Sequence, residues 1–96
     1  MTRILLQKEG EHMLVSASGH AAGSEAACAG ISALLFALAG FLHTDGGTTI
    51  RSCRLESGYA LLDFSGGASA EAAFRMTAVG LRQIARGYPS CVAVED

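Results

Sequence analysis

The chain has 96 residues and a mass of 9.9 kDa, which is enough for one compact domain with a single hydrophobic core. Half of its residues are hydrophobic and 17% are charged. This balance excludes an intrinsically disordered chain, because disordered chains lack the apolar surface that offsets the entropy of ordering. The formal net charge of -2 gives no basic surface for a phosphate backbone, so we expect no direct contact with nucleic acid.

The cysteines and the amino-terminal segment predict a cytoplasmic protein. Cys28, Cys53 and Cys91 are odd in number and widely spaced, which is not the pattern of a disulfide framework and indicates a reducing compartment. The first residues contain only the short apolar run Ile4 to Leu6, too little for a signal peptide. No two residues have the spacing of metal ligands, so we expect neither a metal nor another cofactor.

Two strands are predicted at the start of the chain, from Thr2 to Gln7 and from His12 to Ser18. The polar segment Lys8 to Glu11 joins them, and Gly10 can take the positive φ of a tight turn. Alternation in the second strand predicts a buried face made of Met13, Val15 and Ala17.

A long apolar helix is predicted next, with Ser24 as its N-cap and Glu25 in its first turn. The stretch from Ala26 to Leu42 carries no charge and approaches the length of a membrane span. Its acidic flanks and many small residues favour a core helix instead, so no membrane contact is expected. Because the helix is apolar nearly all round, a second subunit is expected to cover part of it, which predicts a homodimer.

A second hairpin is predicted next, with strands from Thr48 to Leu55 and from Tyr59 to Ser65. A second helix capped by Ser69 follows as far as Gly87, and a short last strand runs from Cys91 to Val94. Alternation in the hairpin predicts that Ala60, Leu62 and Phe64 are buried. The order is ββαββαβ. We therefore expect a single α/β domain over residues 1–96, an α+β sandwich with two helices packed on a mostly antiparallel sheet.

His20 and Cys28 are the most informative pair of residues in the sequence. His20 follows the second strand, and Cys28 falls in the first turn of the long helix, where unpaired N–H groups and the helix dipole favour a thiolate. An imidazole near that sulfur can accept its proton, and the resulting thiolate can attack a carbonyl carbon. The short loop between the two residues allows their side chains to meet.

The backbone after Cys28 offers a second part of such a site. The N–H groups of Ala29 and Gly30 are expected to hold a developing oxyanion, and Gly30 would leave that wall open to a substrate. A structural interpretation stands beside this one, because cysteine is among the most buried residue types and Cys28 would then only fill space in the core. The residues by themselves leave both interpretations open.

Two segments around this pair resemble the motifs of a known family. Ser18-Gly19-His20-Ala21 and, after a short loop, Cys28-Ala29-Gly30-Ile31-Ser32-Ala33 are similar to the GHA and CAxxSA motifs of the ribosomal-processing cysteine proteases, the Prp family. The order of the two motifs, the predicted ββαββα order and the chain length also match. The resemblance therefore covers almost the whole chain.

The resemblance implies a cytoplasmic bacterial endopeptidase, a homodimer, that removes an N-terminal extension from a large-subunit ribosomal protein precursor. Cys28 would be the nucleophile and His20 the base. Ser32 matches the family's serine and would orient the site by hydrogen bonding. Glu25 would be a second supporting residue, at a position where many members have Asp.

Two further expectations concern the surroundings of this pair. The loop from His20 to Cys28 is shorter than in typical members of the family, and its segment from Ala21 to Glu25 is expected to become ordered only when substrate binds. The alternative function is a non-catalytic dimeric module that binds a ribosomal partner on the same surface. Reactivity of the Cys28 thiol would distinguish the two functions.

Overall fold

The fold is a five-stranded mixed sheet with two helices packed on one of its faces. A computed structural model describes residues 1–20 and 23–96. The elements in chain order are β1 (Thr2–Glu9), β2 (His12–Ser18), α1 (Glu25–Thr44), β3 (Thr48–Glu56), β4 (Tyr59–Gly66), α2 (Ala68–Gly87) and β5 (Val92–Glu95). The predicted fold class and the order ββαββαβ are thus confirmed.

The strands lie in the order β3-β4-β2-β1-β5 across the sheet. All neighbouring strands are antiparallel except β1 and β5, which run parallel. The central position of β2 brings its carboxyl end next to the turn between β3 and β4, because Ser18 pairs with Tyr59. This register places the residues that follow β2 beside a turn that lies much later in the chain.

One face of the sheet forms the core together with the helices. The predicted alternation is confirmed, because the buried side chains on β2 and β4 are those of Met13, Val15, Ala17, Ala60, Leu62 and Phe64. Phe64 is fully buried and meets Phe74 of α2 edge to face, with ring centroids 6.5 Å apart. Strand β1 extends beyond the predicted Gln7, because Glu9 still pairs with His12.

Helix α1 begins as the sequence predicts. The Ser24 side chain accepts a hydrogen bond from the Ala27 amide at 3.1 Å, which is N-cap geometry. By length and hydropathy this helix could cross a membrane. However, one side of it is buried in the core, through Ala27, Ile31, Leu35, Leu38, Ala39 and Leu42. Core helices also meet criteria of length and hydropathy, so these two properties alone do not identify a membrane span.

The start of helix α2 differs from the prediction. Its N-cap is Gly67, and no side chain caps it. Ser69 lies inside the helix and donates a hydrogen bond from its hydroxyl to the Asp45 carboxylate at 2.9 Å. The predicted Ser69 cap is therefore wrong, because this hydroxyl bonds to the carboxyl end of α1 and not to its own helix.

Glycines allow the two helices to approach each other. A Cβ atom on Gly80 would lie 2.8 Å from Leu34 Cδ1, and one on Gly30 would lie 3.0 Å from Ile84 Cδ1. Gly30 thus faces α2, and the expectation that it leaves a wall of the site open to substrate is wrong. Its small size instead lets an isoleucine of the neighbouring helix pack against α1.

Candidate active site

A shallow cleft lies where β2 ends, α1 begins and β3 turns into β4. His20, Cys28 and Ser32 line it together with residues of β1, α1 and the β3–β4 turn. The cleft encloses about 80 Å³, whereas pockets that bury a small-molecule ligand usually measure roughly 300–1,000 Å³. A ligand of that size does not fit inside it, but one segment of an extended chain can lie across its mouth.

Cys28 differs from the other two cysteines in its exposure. Its side chain is exposed at the amino end of α1, whereas Cys91 is buried and Cys53 is half-buried against the core. Cysteine normally lies in the interior of a protein. The structure therefore gives no support to the interpretation of Cys28 as a core packing residue, while Cys53 and Cys91 have that role.

His20 reaches the cleft from the end of β2. The amide of Gly19 donates a hydrogen bond to the Gly58 carbonyl at 2.9 Å, which fixes the backbone just before His20 against the β3–β4 turn. The imidazole packs against the same turn, since a Cβ atom on Gly58 would lie 2.8 Å from His20 Nε2. The pair that the sequence singled out thus lines one cleft.

The free amides of α1 lie earlier in the helix than expected. The Cys28 amide already donates to the Ser24 carbonyl at 3.3 Å, and the Ala27 amide is capped by the Ser24 hydroxyl. Ala29 and Gly30 follow in the second turn, where helical N–H groups bond to carbonyls four residues back. Only the first amides of a helix lack such partners. Ala29 and Gly30 thus lie past the free amides of α1, and the identity of the oxyanion donors stays a prediction.

The two supporting residues have different positions. Ser32 lines the cleft, one turn after Cys28 on the same face of α1. Its hydroxyl makes no hydrogen bond to the residues that the structure describes. Glu25 is the exposed first residue of α1 and is not among the residues that line the cleft. Its negative charge lies in the first turn of the helix, where it interacts favourably with the helix dipole, and its supporting role stays a prediction.

The β3–β4 turn is the part of the site that the sequence analysis missed. Glu56, Gly58 and Tyr59 all line the cleft, although their pattern indicated only a hairpin. The Glu56 carboxylate accepts a hydrogen bond from Arg54 Nε at 2.8 Å, and the Arg54 guanidinium lies 5.2 Å from the centroid of the Tyr59 ring. No signal within the turn itself predicts this, because the contact depends on the register between β2 and β4.

The loop from Ala21 to Glu25, which is expected to become ordered when substrate binds, lies partly outside the described residues. Ala21 and Ala22 lie in the part of the chain that the structure does not describe. Beyond them, Ser24 is bonded as the N-cap and Glu25 is helical. The expected ordering of this loop on substrate binding stays a prediction.

Solved structures show the same fold. Two structures of the essential ribosomal processing protease Prp from S. aureus, one with a covalently linked product peptide and one with a substrate peptide, have TM-scores of 0.85 and 0.78. They are 19% and 18% identical to this chain, and each match covers 99% of this chain and 98% of the other. SMU.848 from Streptococcus mutans has a TM-score of 0.79 at 21% identity, over 99% of this chain and 92% of its own.

The family assignment comes from the sequence. No curated protein is detectably similar to this chain. The family model described as cysteine protease Prp, in contrast, matches residues 1–93, nearly the whole chain. An exposed cysteine and a histidine in one cleft agree with that enzyme class. The chain belongs to the cysteine protease Prp family.

Proposed function

We propose that the protein is a cytoplasmic bacterial endopeptidase that removes an N-terminal extension from a large-subunit ribosomal protein precursor. The observation that carries this proposal is that His20 and Cys28 line the same cleft at the amino end of α1. The two structures of the S. aureus ribosomal processing protease contain a substrate peptide and a covalently linked product peptide, which supports a peptide substrate here. Their fold is shared over the full length of this chain.

The surface beside the cleft suits an extended peptide. A second depression of about 280 Å³ adjoins the first and shares Ser32 and Glu56 with it. Leu35, Phe36 and Leu55 supply its apolar part, and the Phe36 side chain is 62% exposed. The two depressions follow the edge between α1 and the β3–β4 hairpin. A peptide along this edge would place a backbone carbonyl near Cys28 and a side chain near Phe36.

In the proposed mechanism the Cys28 thiol transfers its proton to His20 as the sulfur bonds to the scissile carbonyl carbon. The amino end of α1 stabilises the oxyanion of the tetrahedral intermediate, with the amides of Glu25 and Ala26 as donors. Collapse breaks the peptide C–N bond, and His20 returns the proton to the departing amine. Water then attacks the thioester with His20 as base, which releases the acid product and restores the thiol.

Substitution of the two reacting residues tests this mechanism. We expect Cys28→Ala, Cys28→Ser and His20→Ala to abolish cleavage of a peptide that spans the precursor junction, while the circular dichroism spectrum stays that of the folded protein. Cys28 and His20 are both exposed, so their removal leaves the core intact. Cys53→Ala and Cys91→Ala are the matched controls and should retain activity. Turnover at the wild-type rate in any of the first three variants would overturn the mechanism.

We also propose that the protein acts as a homodimer. The outer surface of the helix pair is apolar, with Phe41 of α1 41% exposed and Met76 and Val79 of α2 71% and 54% exposed. Apolar surface of this kind is normally covered by a partner. Sedimentation should give about twice the monomer mass. Met76→Glu should convert the dimer to a monomer, and a wild-type monomer at micromolar concentration would contradict the proposal.

A further inference from the structure

We propose that Gly58 is a positioning residue that holds the His20 imidazole in its place in the cleft. This inference rests on the proposed function, because it assigns His20 the role of base. It concerns a contact between two parts of the chain that are far apart in sequence: the end of β2 and the turn between β3 and β4. The contact has two components, one to the backbone and one to the side chain.

The backbone component is a hydrogen bond next to His20. The Gly58 carbonyl accepts the Gly19 amide at 2.9 Å, and Ser18 pairs with Tyr59 one step earlier in the ladder. The chain that enters His20 is therefore held to the turn by the continuation of the sheet. This bond holds the backbone in place one residue before His20.

The side-chain component requires that residue 58 has no side chain. A Cβ atom at this position would lie 2.8 Å from His20 Nε2, 3.3 Å from Cε1 and 3.6 Å from Cδ2. Carbon and nitrogen atoms do not normally approach within 3.0 Å without a bond, so the ring would have to move. The ring thus rests directly on the Gly58 backbone, and a methyl group would displace the nitrogen that lies nearest to it.

A small displacement of the base has a large effect on catalysis. Proton transfer needs the base within hydrogen-bond reach of the thiol, and an error of about 1 Å can lower the rate by roughly a hundredfold. The described residues provide no hydrogen bond to the His20 side chain. Among the residues that the structure describes, the Gly58 turn is thus what the ring rests on.

The other hairpin supplies a matched control. Gly10 in the β1–β2 turn also has a positive φ, 60° against 75° at Gly58, so alanine strains both turns in a similar way. A Cβ atom on Gly10, however, meets no atom within 4 Å. Gly10→Ala therefore measures the effect of the strain alone. A larger loss of activity or stability in Gly58→Ala reports the contact with His20.

The first experiment compares the cleavage kinetics of these two variants. We expect Gly58→Ala to lower kcat by about a hundredfold with KM nearly unchanged, because the ring moves while the peptide surface stays. Gly10→Ala should leave both constants at the wild-type values. If wild type cleaves the peptide and Gly58→Ala has the same kcat as Gly10→Ala, the positioning role of Gly58 is overturned, but the proposed function is not. If Gly58→Ala does not fold, Gly58→Asn replaces it with Gly10→Asn as control, because asparagine tolerates positive φ better.

The second experiment does not depend on catalysis. The shift in urea midpoint caused by Gly58→Ala is measured in the wild-type background and in His20→Ala. If the Cβ atom collides with the ring, the shift is smaller when the ring is absent, whereas the shift caused by Gly10→Ala is the same in both backgrounds. Equal shifts for Gly58→Ala would overturn the contact. Because this test needs no cleavage, failure of the proposed protease activity leaves it interpretable.

Discussion

The two ends of helix α1 use polar side chains in opposite ways. At the carboxyl end, the Asp45 carboxylate accepts hydrogen bonds from the Thr48 hydroxyl at 2.6 Å and the Ser69 hydroxyl at 2.9 Å. At the amino end, the side chains of Cys28 and Ser32 are exposed and make no hydrogen bond to the described residues. One end thus ties α1 to β3 and α2, whereas the other keeps donors and acceptors available for a substrate.

This contrast separates stability from activity along one helix. Polar groups that bond within the protein stabilise the fold, but fewer of their donors and acceptors remain for a peptide. Groups without internal partners contribute little to the free energy of unfolding, and their exposure keeps the desolvation penalty small. Substitution of Cys28 or Ser32 should therefore change activity, and substitution of Asp45 should change stability.

The sharpest test of this contrast is Ser32→Ala. We expect it to lower kcat/KM for the precursor peptide by about tenfold, as loss of one hydrogen bond to a reacting group or substrate does. The free energy of unfolding should change by less than about 0.5 kcal/mol, because the hydroxyl is exposed and has no internal partner. Peptide cleavage and urea unfolding measure the two quantities. A large loss of unfolding free energy with full cleavage activity would show that Ser32 contributes to stability and not to activity.

The sequence predicted those parts of the molecule that depend on local patterns. Alternation predicted the buried faces of β2 and β4, and Ser24 before an apolar stretch predicted the start of α1. The position of Cys28 in the first turn of a helix follows from the same signal. Each of these inferences uses residues within one or two turns of each other.

The errors arose where a residue's partner lies in another element. Ser69 has the right residue type for a cap, but its hydroxyl bonds to Asp45 at the end of the other helix. The sequence predicts that Gly30 leaves a wall of the site open, but Gly30 faces Ile84 of α2. The role of Gly58 depends on the pairing of β2 with β4, which periodicity does not reveal. Spacing along the chain predicts elements, and contacts between elements decide what their small and polar residues do.

A smaller effect on activity is expected at Ser24, the N-cap of α1, because its side chain stabilises the helix beside the proposed site. Ser24→Ala removes the hydrogen bond to the Ala27 amide and should lower the free energy of unfolding by about 1 kcal/mol. It also frees an amide next to the proposed oxyanion donors, so cleavage should persist at a rate closer to wild type than in Ser32→Ala. Urea unfolding and kcat are the measurements. Unchanged stability would show that the cap does not hold this end of α1.

The smallest expected effect is a pH dependence of stability at the carboxyl end. The hydrogen bonds from Thr48 and, second, from Ser69 hold the pKa of the Asp45 carboxyl below its ordinary value of 3.8. Since the unfolded chain has the ordinary pKa, the carboxylate contributes stability above that value, and the contribution is lost as the pH falls through the lowered pKa.

Asp45→Asn keeps the shape of the side chain and removes the titration. We therefore expect wild type to exceed Asp45→Asn in unfolding free energy at pH 7, with a difference that shrinks as the pH falls below the ordinary value of 3.8 and through the lowered pKa. Urea unfolding at a series of pH values measures both proteins, and parallel curves would show that this carboxylate does not stabilise the fold. The cleavage rate at neutral pH should be the same for the two proteins, because Asp45 lies at the far end of α1 from Cys28.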